Sequence, residues 1–114
     1  MRTISRSGRF KRDYKRLKAG PLGAKLDELL REALALLAAD LPLPERFRDH
    51  ALTGTWKSYR DCHIRPDLVL IYRKPDDQHI VALGSVDAEV SVRSRLTFLT
   101  LELIRLGSHS ELGL

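Results

Sequence analysis

Apolar residues recur at helical spacing in the first part of the chain. Phe10, Tyr14 and Leu17 are separated by four and then three residues, which is typical of the buried face of an amphipathic helix. Ser7 is a suitable N-cap residue, and the Gly-Pro pair at positions 20 and 21 ends the pattern. The pattern therefore predicts a first helix between Ser7 and Gly20.

A second helical pattern runs from about Leu22 to Ala39. Its apolar stripe is wide and consists of Leu26, Leu29, Leu30, Ala33, Leu36 and Leu37. The prolines at positions 42 and 44 end it, because proline has no N–H for the helical hydrogen bond. Two successive helices indicate a helical hairpin.

The pattern changes to strands after His50. Trp56–Ile64 and the more apolar Leu68–Arg73 are predicted strands, and the turn residues of Arg65–Asp67 between them predict an antiparallel hairpin. Further strands are predicted at His79–Leu83 and Leu96–Leu106. The last of these alternates too weakly to exclude a helix.

Alternation in Trp56–Ile64 assigns its side chains to two faces. One face is polar and consists of Lys57, Tyr59, Asp61 and His63; the other consists of Trp56, Ser58, Arg60, Cys62 and Ile64. If the helices cover the second face, the first is an open surface that could hold RNA. The alternative is a solvated sheet face, which antiparallel sheets commonly have.

Charge favours an anionic partner without selecting one. The 114 residues carry a formal net charge of +5, and the basic residues are dense in Arg2–Lys18, where the only acidic residue is Asp13. RNA, DNA or an acidic protein would suit this balance. The basic face of the first helix is either a contact with the phosphates of an RNA or simply solvated.

Length and cysteine content favour a small cytoplasmic domain. A chain of 114 residues fits one domain with its own core. The single cysteine, Cys62, excludes an internal disulfide and suits a reducing compartment. The sequence shows neither a signal-peptide pattern nor an apolar run of membrane-spanning length, so we expect a cytoplasmic protein without a membrane partner.

Candidate catalytic groups are dispersed along the sequence. His50, His63, Asp67 and His109, together with Arg105, provide what RNA cleavage without a metal requires. Histidine can remove the 2′-OH proton or protonate the leaving oxygen, because its pKa is near neutrality. Arginine can stabilise the charged phosphorane. Histidines so distant in sequence are only a weak signal by themselves.

The segments around these residues resemble a known family. Leu41–Pro44, Asp49–His50, Leu52–Tyr72 and Leu103–Leu112 are similar to toxins of the RelE/ParE superfamily, in particular the YafQ type. The resemblance implies an α+β fold, the RelE-like microdomain, with an N-terminal strand and a helical hairpin packed on a twisted antiparallel sheet. It also implies a toxin of a type II toxin–antitoxin system that cleaves mRNA on the ribosome, with no metal and no organic cofactor.

The resemblance further implies partners and site residues. The partners are a cognate antitoxin, mRNA on the ribosome, and operator DNA bound only by the toxin–antitoxin complex. The catalytic positions are His50, His63, Asp67 and His109. The expected RNA-binding residues are Arg105, Lys57, Asp61 and Arg60, and Asp61 is also a candidate for orienting a histidine.

Two features depart from the family pattern. An insert occupies about residues 78–99, and Ala82–Val90 is a near-repeat of Arg105–Gly113. Either copy could therefore occupy the last strand of the sheet. The family also has an aromatic residue four positions after the last histidine, where this chain has Gly113.

Three functions remain open on the sequence alone. The first is the ribosome-dependent endoribonuclease. The second is a catalytically inactive homologue that only binds antitoxin or ribosome, which the insert and Gly113 favour. The third is a ParE-like inhibitor of DNA gyrase, which the matching histidines His50, His63 and His109 disfavour, because that mode of action needs no proton-transfer groups.

Overall fold

The structure, a computed structural model, describes residues 1–75 and 99–114 and contains a five-stranded sheet. The strands are β1 (Thr3–Arg6), β2 (His50–Ala51), β3 (Arg60–Arg65), β4 (Leu68–Arg73) and β5 (Thr100–Gly107). Their order is β1-β5-β4-β3-β2. β1 pairs with β5 in parallel, and the other pairs are antiparallel. The predicted α+β class is confirmed, with a mixed sheet where an antiparallel one was expected.

Three α-helices accompany the described strands. They are α1 (Gly8–Lys18), α2 (Leu26–Ala38) and the short α3 (His109–Leu112). Single 3-10 turns occur at Glu45–Phe47 and Gly54–Trp56. None of the helices in residues 1–75 and 99–114 is long and apolar enough to cross a bilayer.

The start of α1 is tied to the sheet by its N-cap. The Ser7 hydroxyl accepts a hydrogen bond from the Phe10 amide at 3.0 Å and donates one to the Ile104 carbonyl at 2.6 Å. The predicted N-cap is therefore confirmed, and it also joins α1 to β5. This connection places α1 beside β5 on the side of β1, next to the residues after Leu103 with which β1 does not pair.

The predicted start of the second helix is wrong by four residues. Helix α2 begins at Leu26, and a turn occupies the segment from Gly20 to Lys25. A Cβ added at Gly23 would lie 1.9 Å from the Lys18 carbonyl oxygen. The backbone is therefore folded onto the end of α1, and this close approach replaces the first helical turn that the apolar pattern suggested.

The main core lies between the helices and one face of the sheet. Its largest fully buried members include Tyr72, Leu26, Leu70, Leu101, Leu103, Leu106 and Cys62. Burying a leucine side chain contributes about 1.5–3 kcal/mol, so this layer holds α1 and α2 on the sheet. The opposite face carries a smaller cluster formed by Val69, Ile71 and Leu112, with Trp56 packed against it.

The predicted strand at Trp56–Ile64 is wrong in its first half. Strand β3 begins at Arg60, because Gly54 (φ +65°) and Ser58 (φ +82°) turn the backbone sharply before it. Alternation therefore holds only from Arg60 onward: Cys62 and Ile64 face the main core as predicted. Trp56 instead packs on the opposite face, against the smaller cluster.

The C-terminal copy of the near-repeat occupies the last strand. Strand β5 pairs with β4 and β1, so the predicted strand at Leu96–Leu106 is confirmed from Thr100 onward. The predicted strand His79–Leu83, the copy at Ala82–Val90 and the insert up to residue 98 lie outside the described residues.

Candidate active site

Three histidines meet on the sheet face that α1 and α2 leave uncovered. The ring centroids of His63 and His109 are 5.0 Å apart, and those of His63 and His50 are 6.3 Å apart. His63 lies in β3, and its paired neighbour in β4 is Val69, whose partner in β5 is Gly107. The chain leaves β5 at Gly107, so His109 follows directly beside this row. Strand order thus assembles the predicted histidines from distant parts of the sequence.

A capping box fixes the backbone at His109. The Ser108 hydroxyl accepts from the Glu111 amide at 3.2 Å, and the Glu111 carboxylate accepts from the Ser108 amide at 3.0 Å. This Ser-x-x-Glu pattern is a recognised sequence signal for a helix start. Leu112, at the end of this turn, is buried against Val69 and Ile71.

Asp67 orients the ring of His109. The same carboxylate oxygen, Asp67 Oδ1, lies 2.8 Å from His109 Nδ1 and accepts from the His109 amide at 3.1 Å. Because a carboxylate can only accept, Nδ1 carries the proton and Nε2 is directed elsewhere. These hydrogen bonds lower the pKa of Asp67, so this carboxyl group is ionised at neutral pH.

His50 is oriented in a comparable way by a backbone carbonyl. Its Nδ1 donates to the Arg48 carbonyl oxygen at 2.8 Å. Arg48 adopts a left-handed conformation (φ +46°), which bends the chain between the 3-10 turn at Glu45–Phe47 and β2. In His50, as in His109, Nδ1 is the ring nitrogen that is engaged within the protein.

A buried carboxylate lies beneath the histidines. Asp61 is 2 % exposed, and its Oδ1 lies 3.1 Å from His50 Nδ1. Since that ring proton is donated to the Arg48 carbonyl, Asp61 Oδ1 has no hydrogen bond within the described residues. Burial raises the pKa of Asp61, and the attraction of the nearby histidines opposes this rise.

Burial also changes the pKa of His63. Desolvation lowers this pKa below its usual range, and the Asp61 carboxylate acts in the opposite direction. The charge of Arg48 and the electrostatic interaction with His109 lower the pKa of His63 further. His63 is therefore mainly neutral at pH 7 and can accept a proton.

Two of the predicted RNA-binding residues are paired with carboxylates, and a third is exposed. Arg105 is held by Asp13 of α1, through Nε at 2.7 Å and Nη2 at 3.2 Å. Arg60 donates to Asp49 at 3.3 Å. Lys57 lies in the turn before β3 and is exposed. Asp61, the fourth, lies within the histidine cluster.

A basic groove beside His63 was missed by the sequence analysis. It has a volume of about 450 Å³ and is lined by Arg46, Arg48, His63, Ile64, Arg65 and Pro66. The arginines lie two or four residues from His50 or His63 in the sequence. This proximity was an available signal, but arginine-rich surface loops are too common for it to be specific.

A family model described as the bacterial toxin of type II toxin–antitoxin system, YafQ, matches residues 2–89. The chain belongs to the YafQ toxin family. A putative YafQ toxin of Haemophilus influenzae is 46 % identical over 70 residues, which are 61 % of this chain and 69 % of that protein. The mRNA interferase toxin YafQ of Escherichia coli K12 is 39 % identical over 75 residues, which are 66 % and 79 % of the two chains.

The similarity to the YafQ family extends to the C-terminal strand in three dimensions. A chain of the Escherichia coli DinJ–YafQ complex superposes with a TM-score of 0.63 at 30 % identity, covering 98 % of each chain. The family-model match, by contrast, ends before β5. The structure shows that Thr100–Gly107 is the strand that brings His109 to His63.

The backbone conformation at position 113 favours glycine over the aromatic residue that the resemblance predicted there. Gly113 is the C-cap of α3 and has φ +72°, a conformation that costs an L-residue roughly 1–2 kcal/mol. An aromatic residue at this position would be strained. Glycine thus allows the tight end of α3 at the position where the resemblance predicted an aromatic ring.

No group of three or more metal-ligating side chains with suitable geometry occurs in the part of the chain that the structure describes. Cys62 has a free thiol that is buried in the main core, and this burial raises the pKa of the thiol. It is therefore neither a nucleophile nor a ligand in this arrangement.

Proposed function

We propose that this chain is an mRNA interferase toxin, a metal-independent endoribonuclease that cleaves mRNA on the ribosome. The observation that carries the proposal is the histidine cluster formed by His50, His63 and His109, together with its two carboxylates. The name of the Escherichia coli relative, mRNA interferase toxin, supports the reaction class.

The cluster offers both proton transfers that the cleavage requires. Neutral His63 is the general base for the 2′-hydroxyl, because burial lowers its pKa. A second histidine, His50 or His109, is the general acid. Each of these has its Nδ1 proton engaged, so that Nε2 is the nitrogen that carries the transferred proton. General acid–base catalysis of this kind contributes about 10²–10⁴-fold to a rate.

The reaction balances without a cofactor. The base removes the 2′-OH proton, and the 2′-oxygen forms a bond to phosphorus. The bond between phosphorus and the 5′-oxygen then breaks, and the leaving oxygen takes a proton from the acid. The products are a 2′,3′-cyclic phosphate and a 5′-hydroxyl end.

The proposal includes the partners of a type II toxin. A cognate antitoxin would bind and inhibit the chain, as supported by the structural likeness to a chain of the Escherichia coli DinJ–YafQ complex. Ribosomal RNA would be contacted by the basic residues of α1, and operator DNA would be bound only by the toxin–antitoxin complex. These partners would place the protein in the cytoplasm.

The test is cleavage in cells. The wild-type chain and the variant His63→Ala are induced, and mRNA 5′ ends are mapped by primer extension. We expect new ends at in-frame codon positions with the wild type only. The exposed substitution Glu28→Gln, on α2 and not among the residues that line the basic groove, is the matched control and should leave the ends unchanged.

The opposite result defines the second candidate function. If neither soluble protein produces new ends, but the wild type still binds its antitoxin, the chain is a binding module without nuclease activity. Gly113 in place of the family aromatic is the feature that favours this alternative.

A further inference from the structure

The basic groove begins at His63 and follows the uncovered end of β3. Strand β2 pairs only with Arg60 and Asp61. The rest of this edge of β3 is flanked by the 3-10 turn at Glu45–Phe47 and the following Arg48. The groove therefore lies between β3 and this turn, and it adjoins the histidine cluster at His63.

The cations that line this groove differ in their partners. Arg46 donates to Glu32 of α2 and lies over the Phe47 ring, with its guanidinium carbon 4.5 Å from the centroid. Arg48 and Arg65 are exposed, and neither forms an ion pair with a carboxylate in residues 1–75 or 99–114. Two guanidinium groups are thus available to an anionic ligand.

The position of Arg48 couples the groove to the histidines. Its carbonyl oxygen accepts the His50 Nδ1 proton, and its charge contributes to the lowered pKa of His63. An anion bound at its guanidinium would lie next to the cluster. Arg65 follows His63 by two residues in the same strand and extends the positive charge in the other direction.

We propose that Arg48 and Arg65 bind backbone phosphates of the single-stranded RNA adjacent to the phosphate that is cleaved. The inference rests on the proposed function and adds to it the path of the RNA on the protein. Guanidinium groups suit phosphates because they donate paired hydrogen bonds and remain charged. Such contacts position RNA without reading its sequence.

A phosphate ligand fits better than an acidic protein segment. The groove adjoins a cluster suited to phosphoryl chemistry, and of its six lining residues only Ile64 and Pro66 are apolar. Within residues 1–75 and 99–114, Arg48 and Arg65 form no ion pair with a carboxylate. A protein segment would require apolar anchor pockets as well as charge. The acidic-segment alternative is nevertheless an outcome of the test.

The experiment measures binding rather than cleavage. A fluorescent 2′-O-methyl oligoribonucleotide, which lacks the attacking hydroxyl, is titrated with His63→Ala protein in an anisotropy assay at several salt concentrations. The variants Arg48→Gln and Arg65→Gln are each added to this background. Arg31→Gln removes one charge from an exposed position of α2 and is the matched control.

We expect each groove variant to weaken binding at low salt by about three-fold or more, and to reduce the slope of log K against log salt by about 0.7, the value for one lost contact to a single strand. The Arg31→Gln control should match the parent His63→Ala protein in both affinity and salt dependence. The melting temperature of each variant shows that it is folded.

Several outcomes would overturn the groove assignment. One is that the parent His63→Ala protein shows no detectable binding to the oligonucleotide. Another is that the groove variants bind RNA with the same affinity as the Arg31→Gln control. A third is that the groove variants bind the antitoxin more weakly while their affinity for RNA is unchanged. Because the oligonucleotide cannot be cleaved, loss of the groove effect is distinguishable from failure of the nuclease proposal. The latter is decided by the mapped 5′ ends.

Discussion

The protonation of His63 depends on the buried carboxylate beside it. Burial lowers the pKa of His63, and the charge of Asp61 keeps it from falling further. If neutral His63 is the base, cleavage rises with pH through this pKa, so the acidic limb of the rate profile lies below about 6.5, the usual value for histidine. The substitution Asp61→Asn should move this limb about one unit lower.

Single-turnover cleavage of mRNA on programmed ribosomes, followed across the acidic range, measures this shift. Circular dichroism of Asp61→Asn verifies that removing a buried charge has not unfolded β3. An acidic limb that stays in place, or moves to higher pH, would contradict the assignment of His63 as the base.

Asp67 is expected to act through the orientation of His109. It is exposed, and it accepts hydrogen bonds from both the ring and the amide of His109. The substitution Asp67→Ala should reduce cleavage about ten-fold or more, within the range expected for a disturbed acid–base group. Asp67→Asn keeps an accepting oxygen and should retain more activity.

The cleavage assay at saturating ribosome concentration separates these variants. Because Asp67 lies at the surface, both variants should unfold at the same denaturant concentration as the wild type. Equal activities of Asp67→Ala and Asp67→Asn would show that orientation through this hydrogen bond is not its role.

At the scale of elements, α1 and β5 are joined by a buried ionic cluster. Asp13 is 6 % exposed and accepts from Arg105 Nε at 2.7 Å and from the Leu106 amide at 3.0 Å. Burial raises the pKa of Asp13, but the hydrogen bonds and charge of Arg105 more than compensate and hold it below its usual value. The contact between Asp13 and Arg105 therefore connects α1 to the strand that precedes His109.

Removing this carboxylate should destabilise the fold. We expect Asp13→Asn to lower the free energy of unfolding by about 1–3 kcal/mol, the cost of leaving buried partners incompletely satisfied. A depressed pKa stabilises the folded state above the unfolded pKa of about 3.9, and this contribution is lost as pH falls through the folded value. The variant should lack that part of the acid dependence.

Urea denaturation at neutral pH and at successively lower pH measures both effects. Glu28→Gln removes a charge from an exposed position of α2 and serves as the control. If Asp13→Asn and Glu28→Gln unfold at the same urea concentration, the cluster does not stabilise the contact between α1 and β5.

Local signals predicted the elements but not all of their boundaries. Ser7 and the spacing of Phe10, Tyr14 and Leu17 were sufficient for α1, because an N-cap and an apolar stripe are properties of consecutive residues. The starts of α2 and β3 were wrong, since they depend on the close approach at Gly23 and on the positive φ of Ser58. Apolar periodicity contains no information about either.

Long-range pairing limited the prediction of the site. The resemblance indicated His50, His63, Asp67 and His109, and the structure brings them together, while their catalytic roles stay a prediction. The same resemblance gave Arg105 as a residue at the phosphate, which stays a prediction, and the structure shows that Arg105 also pairs with Asp13. That ion pair joins residues 92 positions apart, and no local pattern reveals such a contact.

For the whole molecule, positive charge is concentrated on two separate surfaces. One is the groove at Arg48 and Arg65, and the other is the outer face of α1. The exposed basic residues of α1 are Arg9, Lys11, Arg12, Lys15, Arg16 and Lys18, of which Arg16 and Lys18 form ion pairs with Glu111 and Asp27. The histidines lie on the sheet face opposite the one that α1 covers, and Arg16 of α1 pairs with Glu111 of α3, two residues from His109.

This separation allows ribosome binding to be weakened without altering the catalytic groups. We expect Arg12→Glu combined with Lys15→Glu to reduce cosedimentation with ribosomes by about ten-fold near 0.1 M salt, because each lost phosphate contact removes the counterion release that favours binding. The comparison is Lys25→Glu combined with Arg31→Glu, which changes the net charge equally on α2 and its preceding turn.

The comparison between these variants distinguishes a specific contact from general attraction to RNA. If the α2 variant loses as much ribosome binding as the α1 variant, net charge alone is responsible and α1 has no special role. If only the α1 variant loses binding, its cleavage should recover at high ribosome concentration, since His63 and its neighbours are unchanged. A cleavage rate that stays low at saturation would mean that α1 affects the catalytic step, which its position across the sheet does not predict.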